Sequence, residues 1–120
     1  MMTDAIVVMT TTASRDEAAK IANVVVELRL AACVQIVGPI ASVYRWQGKV
    51  EQSEEWLCLI KTQRVLYAQL ETAVRENHSY DIPEVVALPI VDGSADYLDW
   101  LSRVVVSDAT ESPDSSATHP

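Results

Sequence analysis

The sequence has few basic residues, few cysteines and few glycines, and each shortage argues against a class of function. Nine Lys and Arg against seventeen Asp and Glu give a formal net charge of −8. The chain therefore lacks the basic face that nucleic acid or an anionic membrane would require. Three glycines form no phosphate-cradling loop, and there is neither a zinc-protease motif nor a nucleophile with a base at a recognisable spacing. We therefore expect no enzymatic activity.

The ends and the composition of the chain predict its location and its domain. No apolar run approaches the ~18 residues of a transmembrane helix, and no basic segment precedes the short apolar stretch at 5–9. These features predict a cytoplasmic protein. With 49% hydrophobic and 22% charged residues, the composition is globular. From Ser107 it changes to Ser, Thr, Asp and Pro, which predicts one domain over 1–106 and a disordered acidic tail over 107–120.

Hydrophobic spacing predicts the order β-α-β-β-α-β with a short helix appended. In chain order the predicted elements cover 5–11, 14–30, 32–46, 49–63, a second helix ending near 77, 84–91 and a helix after Ser94. Ser14 and Glu17 form a capping box at the first helix. Strands that alternate with helices around a central hairpin predict an α+β, ferredoxin-like fold. Right-handed crossovers place both main helices on one face of a four-stranded antiparallel sheet.

The long hairpin, residues 32–63, predicts an assembly. Each strand of about 14 residues would span ~46 Å, whereas the first helix spans only ~25 Å. Gly48 suits the tight turn, and Gly38-Pro39 predicts a bulge or an edge position. Large apolar and aromatic residues in the outer half favour burial by a partner over a hairpin that curls across its own core. These residues are Val43, Tyr44, Trp46, Val50 and Trp56.

A turn centred between Gln47 and Gly48 also predicts the register. Trp46 would face Lys49, and Cys33 would face Thr62. Cys58 would then lie four residues away, or ~13 Å along the strand. A disulfide requires Cα atoms within ~7 Å, so we predict two free cysteines that act as small buried hydrophobic residues.

Several blocks of the sequence resemble the CutA family of divalent-cation tolerance proteins. Residues 33–36 read Cys-Val-Gln-Ile, similar to the family's Cys-Val-Asn-Ile, and 42–49 read Ser-Val-Tyr-Arg-Trp-Gln-Gly-Lys, which fits Ser-x-Tyr-x-Trp-x-Gly-Lys. The resemblance covers about 5–103 and continues through Glu51, Glu55, Ile60-Lys61-Thr62, 78–84, Gly93 and 97–101. The family's His-Pro-Tyr-Glu motif reads His78-Ser79-Tyr80-Asp81 here.

The resemblance implies a homotrimer that contributes to metal homeostasis. The long hairpins would pack between subunits through Tyr44, Trp46 and Trp56. Divalent metals, copper above all, would bind weakly, and no established enzymatic reaction accompanies the resemblance. We expect a divalent metal, Cu or Zn, as an optional cofactor that folding does not require. A PII-like trimer that binds small molecules or proteins is the alternative by fold analogy, and an enzyme with an inter-subunit site ranks last.

His78 and Cys33 are the candidate metal ligands, because copper and zinc favour imidazole and thiolate. Asp81 or Glu84 could add oxygen donors. For His78, at a helix end, a structural role is favoured, in which the imidazolium meets the helix dipole or the ring bonds a carbonyl. A trimer would also bring side chains towards inter-subunit clefts, where a small polar ligand or an ion is expected. These cleft candidates are Glu55, Lys61, Tyr80 and Glu84. A structural salt bridge between Lys61 and Glu55 is favoured over an acid–base pair.

Overall fold

The computed structural model describes residues 3–107 and confirms the predicted ferredoxin-like fold. Its elements are β1 Ala5–Thr12, α1 Arg15–Glu27, β2 Cys33–Trp46, β3 Lys49–Gln63, a 3-10 turn Arg64–Leu66, α2 Tyr67–Glu76, β4 Val86–Pro89 and α3 Ala95–Val104. The four strands form one antiparallel sheet in the order β2-β3-β1-β4. No helix within 3–107 is long and apolar enough to cross a bilayer. The predicted tail, 107–120, lies outside the described residues apart from Ser107.

Helix α1 begins at the predicted cap, but the capping box is only half formed. Ser14 Oγ accepts the Glu17 N–H at 3.1 Å, whereas the Glu17 carboxylate binds Ser79 instead of the cap. The helix ends three residues before the predicted limit. Arg29 adopts a left-handed φ of 58°, and the Leu30 N–H donates to the Val25 carbonyl at 3.0 Å. This is a Schellman ending, with arginine in the position that glycine usually takes.

The buried core lies between the sheet and the two main helices. Ala18, Ile21 and Val25 of α1 are fully buried, as are Leu70 and Val74 of α2, at the helical spacing that the sequence predicts. They pack against alternate residues of the central strands. The central-strand side chains on this face are Ile6, Val8, Cys58 and Ile60.

The hairpin has the predicted turn and bulge, but the predicted register of its inner half is wrong. Gln47 and Gly48 both have positive φ, 51° and 81°, as a two-residue type I′ turn requires. The Trp46–Lys49 pairing is confirmed. The register then shifts between Val37 and Ile40, so Cys33 faces Lys61 instead of Thr62. The bulge adds one residue to β2, so every pair on the far side of the bulge from the turn is shifted by one position. Both cysteines are free, as predicted; Cys58 is buried and Cys33 is half-buried.

Beyond the sheet, the hairpin continues as a two-stranded arm, residues 40–46 and 49–55. Strand β1 ends at Thr12 opposite Trp56, so the arm strands pair only with each other. Tyr44 and Trp46 remain 43% and 45% exposed. The predicted overhang is therefore confirmed, and the hairpin does not curl over its own core. The longest axis of the molecule is 47 Å.

Strand β4 is shorter than the predicted 84–91 and lies at the edge of the sheet. It pairs with β1 alone over four residues. Pro89 is its last residue, and the next residue, Ile90, still donates its N–H to the Ala5 carbonyl at 3.0 Å; a proline at an edge strand position has no N–H to offer to a further strand. All four residues are exposed. Among the described residues, the outer edge of β4 therefore has no strand partner.

Gly38 provides a test of the bulge. A Cβ at Gly38 would lie 2.4 Å from Trp56 Cδ1, so Gly38→Ala forces the indole ring to move. We expect a loss of ~1–3 kcal/mol in the free energy of unfolding, measured by urea denaturation. Gly93→Ala is the control, because its Cβ would meet Leu98 only at 3.3 Å. Equal losses in the two variants would contradict this account.

Candidate functional site

A cleft of about 630 Å³ lies where the arm leaves the sheet. The arm forms one wall, and the chain segment between α2 and β4 forms the other. Tyr44 and Trp46, predicted to pack between subunits, line the arm side of this cleft. The polar residues on its walls include three of the four predicted cleft candidates. The residues that matter for its chemistry are Tyr44, Trp46, Glu55, Tyr80, Asp81 and Glu84.

Glu55 and Tyr80 form the buried polar contact of the cleft. The Tyr80 hydroxyl donates to Glu55 Oε2 at 2.8 Å, and Glu55 is only 7% exposed. Burial, followed by the hydrogen bond and charge of Glu55, raises the pKa of the Tyr80 phenol above its usual value near 10. The phenol therefore stays protonated and acts as a neutral donor to the carboxylate.

The cleft is acidic. Glu55, Asp81 and Glu84 contribute three carboxyl groups, and no Lys, Arg or His is among its described lining residues. Negative potential in a concave, partly desolvated space attracts cations more strongly than the same charges on an open surface. This geometry therefore favours a positively charged ligand over an anion.

His78 lies behind the cleft wall and uses both ring nitrogens within the chain. Nε2 lies 2.9 Å from the Thr11 carbonyl, and Nδ1 accepts the Tyr80 N–H at 3.2 Å. A neutral ring with its proton on Nε2 satisfies both bonds. The His78 side chain is 0% exposed. The metal-ligand role stays a prediction, and the described contacts leave no nitrogen lone pair free for it.

Cys33 and Lys61 belong to a separate cluster on the sheet. Cys33 Sγ lies 3.2 Å from the Tyr97 hydroxyl, and the Gln35 amide lies 3.7 Å from the same sulfur. Burial, followed by the contact with Cys33, raises the pKa of Tyr97 to about 12. Lys61 Nζ donates to Gln35 Oε1 at 2.8 Å. The structure therefore divides the predicted site residues between two places.

The predicted Lys61–Glu55 salt bridge is wrong. Lys61 binds Gln35, whereas Glu55 binds Tyr80. The two residues are six positions apart on β3, a rise of ~20 Å along an extended strand. Tyr97 was not predicted as a partner of Cys33, because residues 64 positions apart meet only through the packing of α3.

The donor set of the described chain does not form a copper or zinc centre. Within residues 3–107, no group of three or more His, Cys, Asp and Glu side chains is placed to hold a metal ion. A closed zinc site uses four ligands and a catalytic site three. The carboxylates of the cleft could supply part of a coordination shell, and the remainder would have to come from water or another subunit.

The two cysteines should differ in reactivity. Burial, followed by the nearby charge of Glu17, raises the pKa of the Cys58 thiol to about 11, so at pH 8 only about one Cys58 in a thousand is a thiolate. We expect a disulfide-exchange reagent to modify half-buried Cys33 in the native protein and to spare Cys58. In the Cys33→Ser variant, Cys58 is the remaining thiol and should react only when the chain unfolds or when the pH is raised. In the native protein its rate should increase roughly tenfold per pH unit towards pH 11. Rapid native modification of that variant at pH 8 would contradict the burial.

Comparison with known proteins places the chain in a family. A family model described as CutA1 divalent ion tolerance protein matches residues 6–104. Protein CutA, chloroplastic, of Arabidopsis thaliana is 50% identical over 98 residues, which are 82% of this chain and 54% of the relative. The chain thus spans about half of that relative's length. The divalent-cation tolerance protein CutA of Thermus thermophilus is 48% identical over 79% of this chain and 92% of the relative.

Solved structures give the same result. The divalent cation tolerance protein of Thermus thermophilus superposes with a TM-score of 0.82 at 46% identity, covering 84% of this chain and 98% of that one. CutA1 of Oryza sativa superposes with a TM-score of 0.86 at 41% identity, covering 89% and 98%. The chain therefore belongs to the CutA1 family of divalent ion tolerance proteins.

Proposed function

We propose that the chain assembles as a cytoplasmic homotrimer that binds divalent cations weakly at its acidic clefts and contributes to metal homeostasis without catalysing a reaction. The observation that supports this most strongly is the burial of Glu55. This carboxylate lies at the root of the arm and is only 7% exposed. It shares the cleft with two further carboxyl groups and with no basic lining residue among those described.

The environment of Glu55 favours a bound cation. A buried carboxylate is costly unless a positive charge or several hydrogen bonds compensate it. Within the described residues, Glu55 receives one hydrogen bond, from the neutral Tyr80 hydroxyl. Its Oε1 has no protein donor there and is not among the buried oxygens that lack a partner, so it faces the cleft, where water or a cation can reach it. A cation beside Oε1 would supply the missing compensation, and Asp81 and Glu84 would add attraction.

The same geometry explains why binding would be weak. One subunit offers oxygen donors that do not converge on a single point, so water or a second subunit would have to complete the shell. Copper, the ion implied by the resemblance, prefers nitrogen and sulfur over carboxylate oxygen. His78 and Cys33 remain the predicted donors of that kind, and each would have to exchange a present contact for the metal.

The apolar part of the sheet face opposite α1 and α2 that α3 leaves uncovered supports self-association. Cross-strand pairing places Val7, Met9 and Leu59 on the face opposite α1 and α2, together with Val86 and Leu88 of the edge strand. Val86 and Leu88 are 43% and 49% exposed. An apolar face beside free strand edges is normally covered by another chain. A homotrimer would cover this face and place the exposed arm residues Tyr44 and Trp46 against a neighbour.

A small-molecule-binding module of PII-like architecture is the second candidate. A volume of about 630 Å³ is within the usual range for small-ligand sites. Tyr44 and Trp46 add aromatic surface that could hold an organic cation. A thermal-shift screen of cationic metabolites would reveal such a ligand. Stabilisation by an amine and by no divalent metal would favour this candidate over the first.

The oligomeric state tests the assembly. We expect sedimentation equilibrium to give about three times the chain mass of 13.2 kDa. Leu88→Lys places a charge on the open apolar face and should shift the mass towards the monomer. Val65→Lys is the matched control, because Val65 is an exposed apolar residue (66%) on the 3-10 turn and not on β4. A monomeric wild-type protein would refute the trimer.

Calorimetric titration with Cu²⁺ and with Zn²⁺ tests the cleft. Glu55→Gln keeps an acceptor for Tyr80 but removes the charge, so we expect affinity to fall at least tenfold, since a unit charge at 4 Å contributes ~4 kcal/mol in a partly screened site. Glu54→Gln, on the exposed neighbour in β3, should bind as wild type does. Titration of His78→Ala tests whether the His78 imidazole binds metal independently of the cleft carboxylates. Equal affinity of wild type and Glu55→Gln would refute the proposed cleft site.

A further inference from the structure

The wall of the cleft opposite the arm, residues 79–84, is held by side chains. In the part of the chain that the structure describes, no backbone–backbone hydrogen bond joins 79–84 to a neighbouring element. The segment has neither helix nor strand geometry. Its placement therefore depends on a small number of hydrogen bonds that involve side chains, and each of these bonds affects where Tyr80 and Asp81 lie.

The strongest of these bonds involve Glu17, which no step of the proposed binding uses directly. Glu17 Oε2 accepts the Ser79 N–H at 2.6 Å, and Oε1 accepts the Ser79 hydroxyl at 3.1 Å. Both carboxylate oxygens thus bind Ser79, and Oε2 also lies 3.8 Å from His78 Nδ1. Hydrogen bonds to an ionised carboxylate are about twice as strong as neutral ones, and a two-point contact also fixes orientation.

Helix α1 makes Glu17 a rigid anchor. Glu17 lies in the first turn, where its own N–H is bound by the Ser14 cap at 3.1 Å. The next residue, Ala18, is fully buried, as is Ile21. The capped and packed helix fixes the backbone of Glu17, so only the rotamer freedom of its side chain is lost when the carboxylate binds Ser79. The adjacent Tyr80 N–H then meets His78 Nδ1 at 3.2 Å, and the Tyr80 hydroxyl meets Glu55.

We propose that Glu17 is a positioning residue for the cleft: by binding Ser79 at two points, it fixes the wall that presents Tyr80 to Glu55. The functional consequence rests on the proposed function, because the cleft is the proposed cation site. The positioning itself does not, since it concerns contacts within one chain. Because the Glu17 carboxylate binds Ser79, it does not complete the capping box with Ser14, and the box is therefore half formed.

The chemistry of Ser79 is specific to this role. Serine offers an N–H and a hydroxyl, and Glu17 accepts both. Proline, which the resembling family motif has at this position, offers neither donor. Threonine keeps both, and alanine keeps the N–H alone. The series Thr, Ala and Pro at 79 therefore removes the contact one donor at a time.

Hydrogen exchange of the Tyr80 backbone amide, followed by NMR on the metal-free protein, tests the proposal. Glu17→Ala and Ser79→Pro should each accelerate this exchange about tenfold or more, as expected for loss of a hydrogen bond to a charged group. Ser79→Ala should give a smaller increase, and Ser79→Thr should exchange as wild type does. Amides of β1 and β3 should be unchanged.

Asp16→Ala is the matched control, because Asp16 is also acidic and in the first turn of α1 but is exposed and has no contact with Ser79 among the described residues. Equal Tyr80 exchange in Glu17→Ala and Asp16→Ala would overturn the proposal. Equal acceleration across the whole sheet in Glu17→Ala would overturn it too, since that result indicates a general loss of stability. No metal is present in this measurement, so failure of cation binding would refute the proposed function without altering the exchange result.

Discussion

Strand β1 ends at Thr12, and both the two-stranded arm and the cleft at its root result from this early end. The Thr12 hydroxyl donates to the Ser14 carbonyl, and Ser14 caps α1, so the chain must leave the sheet at this point. The hairpin continues for seven further residue pairs without a third strand. The two-stranded arm therefore leaves apolar surface uncovered and creates a recess at its root, where the arm forms one wall and the chain segment between α2 and β4 forms the other.

Two features of the recess need support from other residues: the buried charge of Glu55 and the position of the loop that carries Tyr80. Burial of Glu55 requires compensation of its charge; within the described residues the protein supplies one neutral hydroxyl, to Oε2, and Oε1 faces the cleft. The loop that carries this hydroxyl lacks backbone ladder bonds among its described residues and depends on Glu17 for its placement. Fold and electrostatics are thus linked, because α1 stabilises the loop, the loop presents Tyr80, and Tyr80 partly satisfies the carboxylate.

Sequence periodicity was sufficient to predict the fold, since the helix faces of α1 and α2 and the turn at Gly48 depend on local spacing. It failed where geometry depends on distant residues. The bulge at Gly38 was predicted, but the predicted pairing of Cys33 with Thr62 did not include the one-residue shift that the bulge causes. Glu17 matched a capping box, yet Ser79, 62 positions away, competes for its carboxylate. Of the candidate site, Glu55, Tyr80 and Glu84 lie together at the cleft, whereas Cys33 and Lys61 lie with Tyr97.

The proposed function depends most on a cation held by Glu55 in the cleft at the root of the arm. Crystals of the assembled protein grown with Zn²⁺, with diffraction measured on both sides of the zinc absorption edge, would locate bound metal directly. We expect anomalous density within ~2.3 Å of a Glu55 carboxylate oxygen, a normal zinc–oxygen bonding distance. Density confined to Cys33 or His78, with none beside Glu55, would contradict the account.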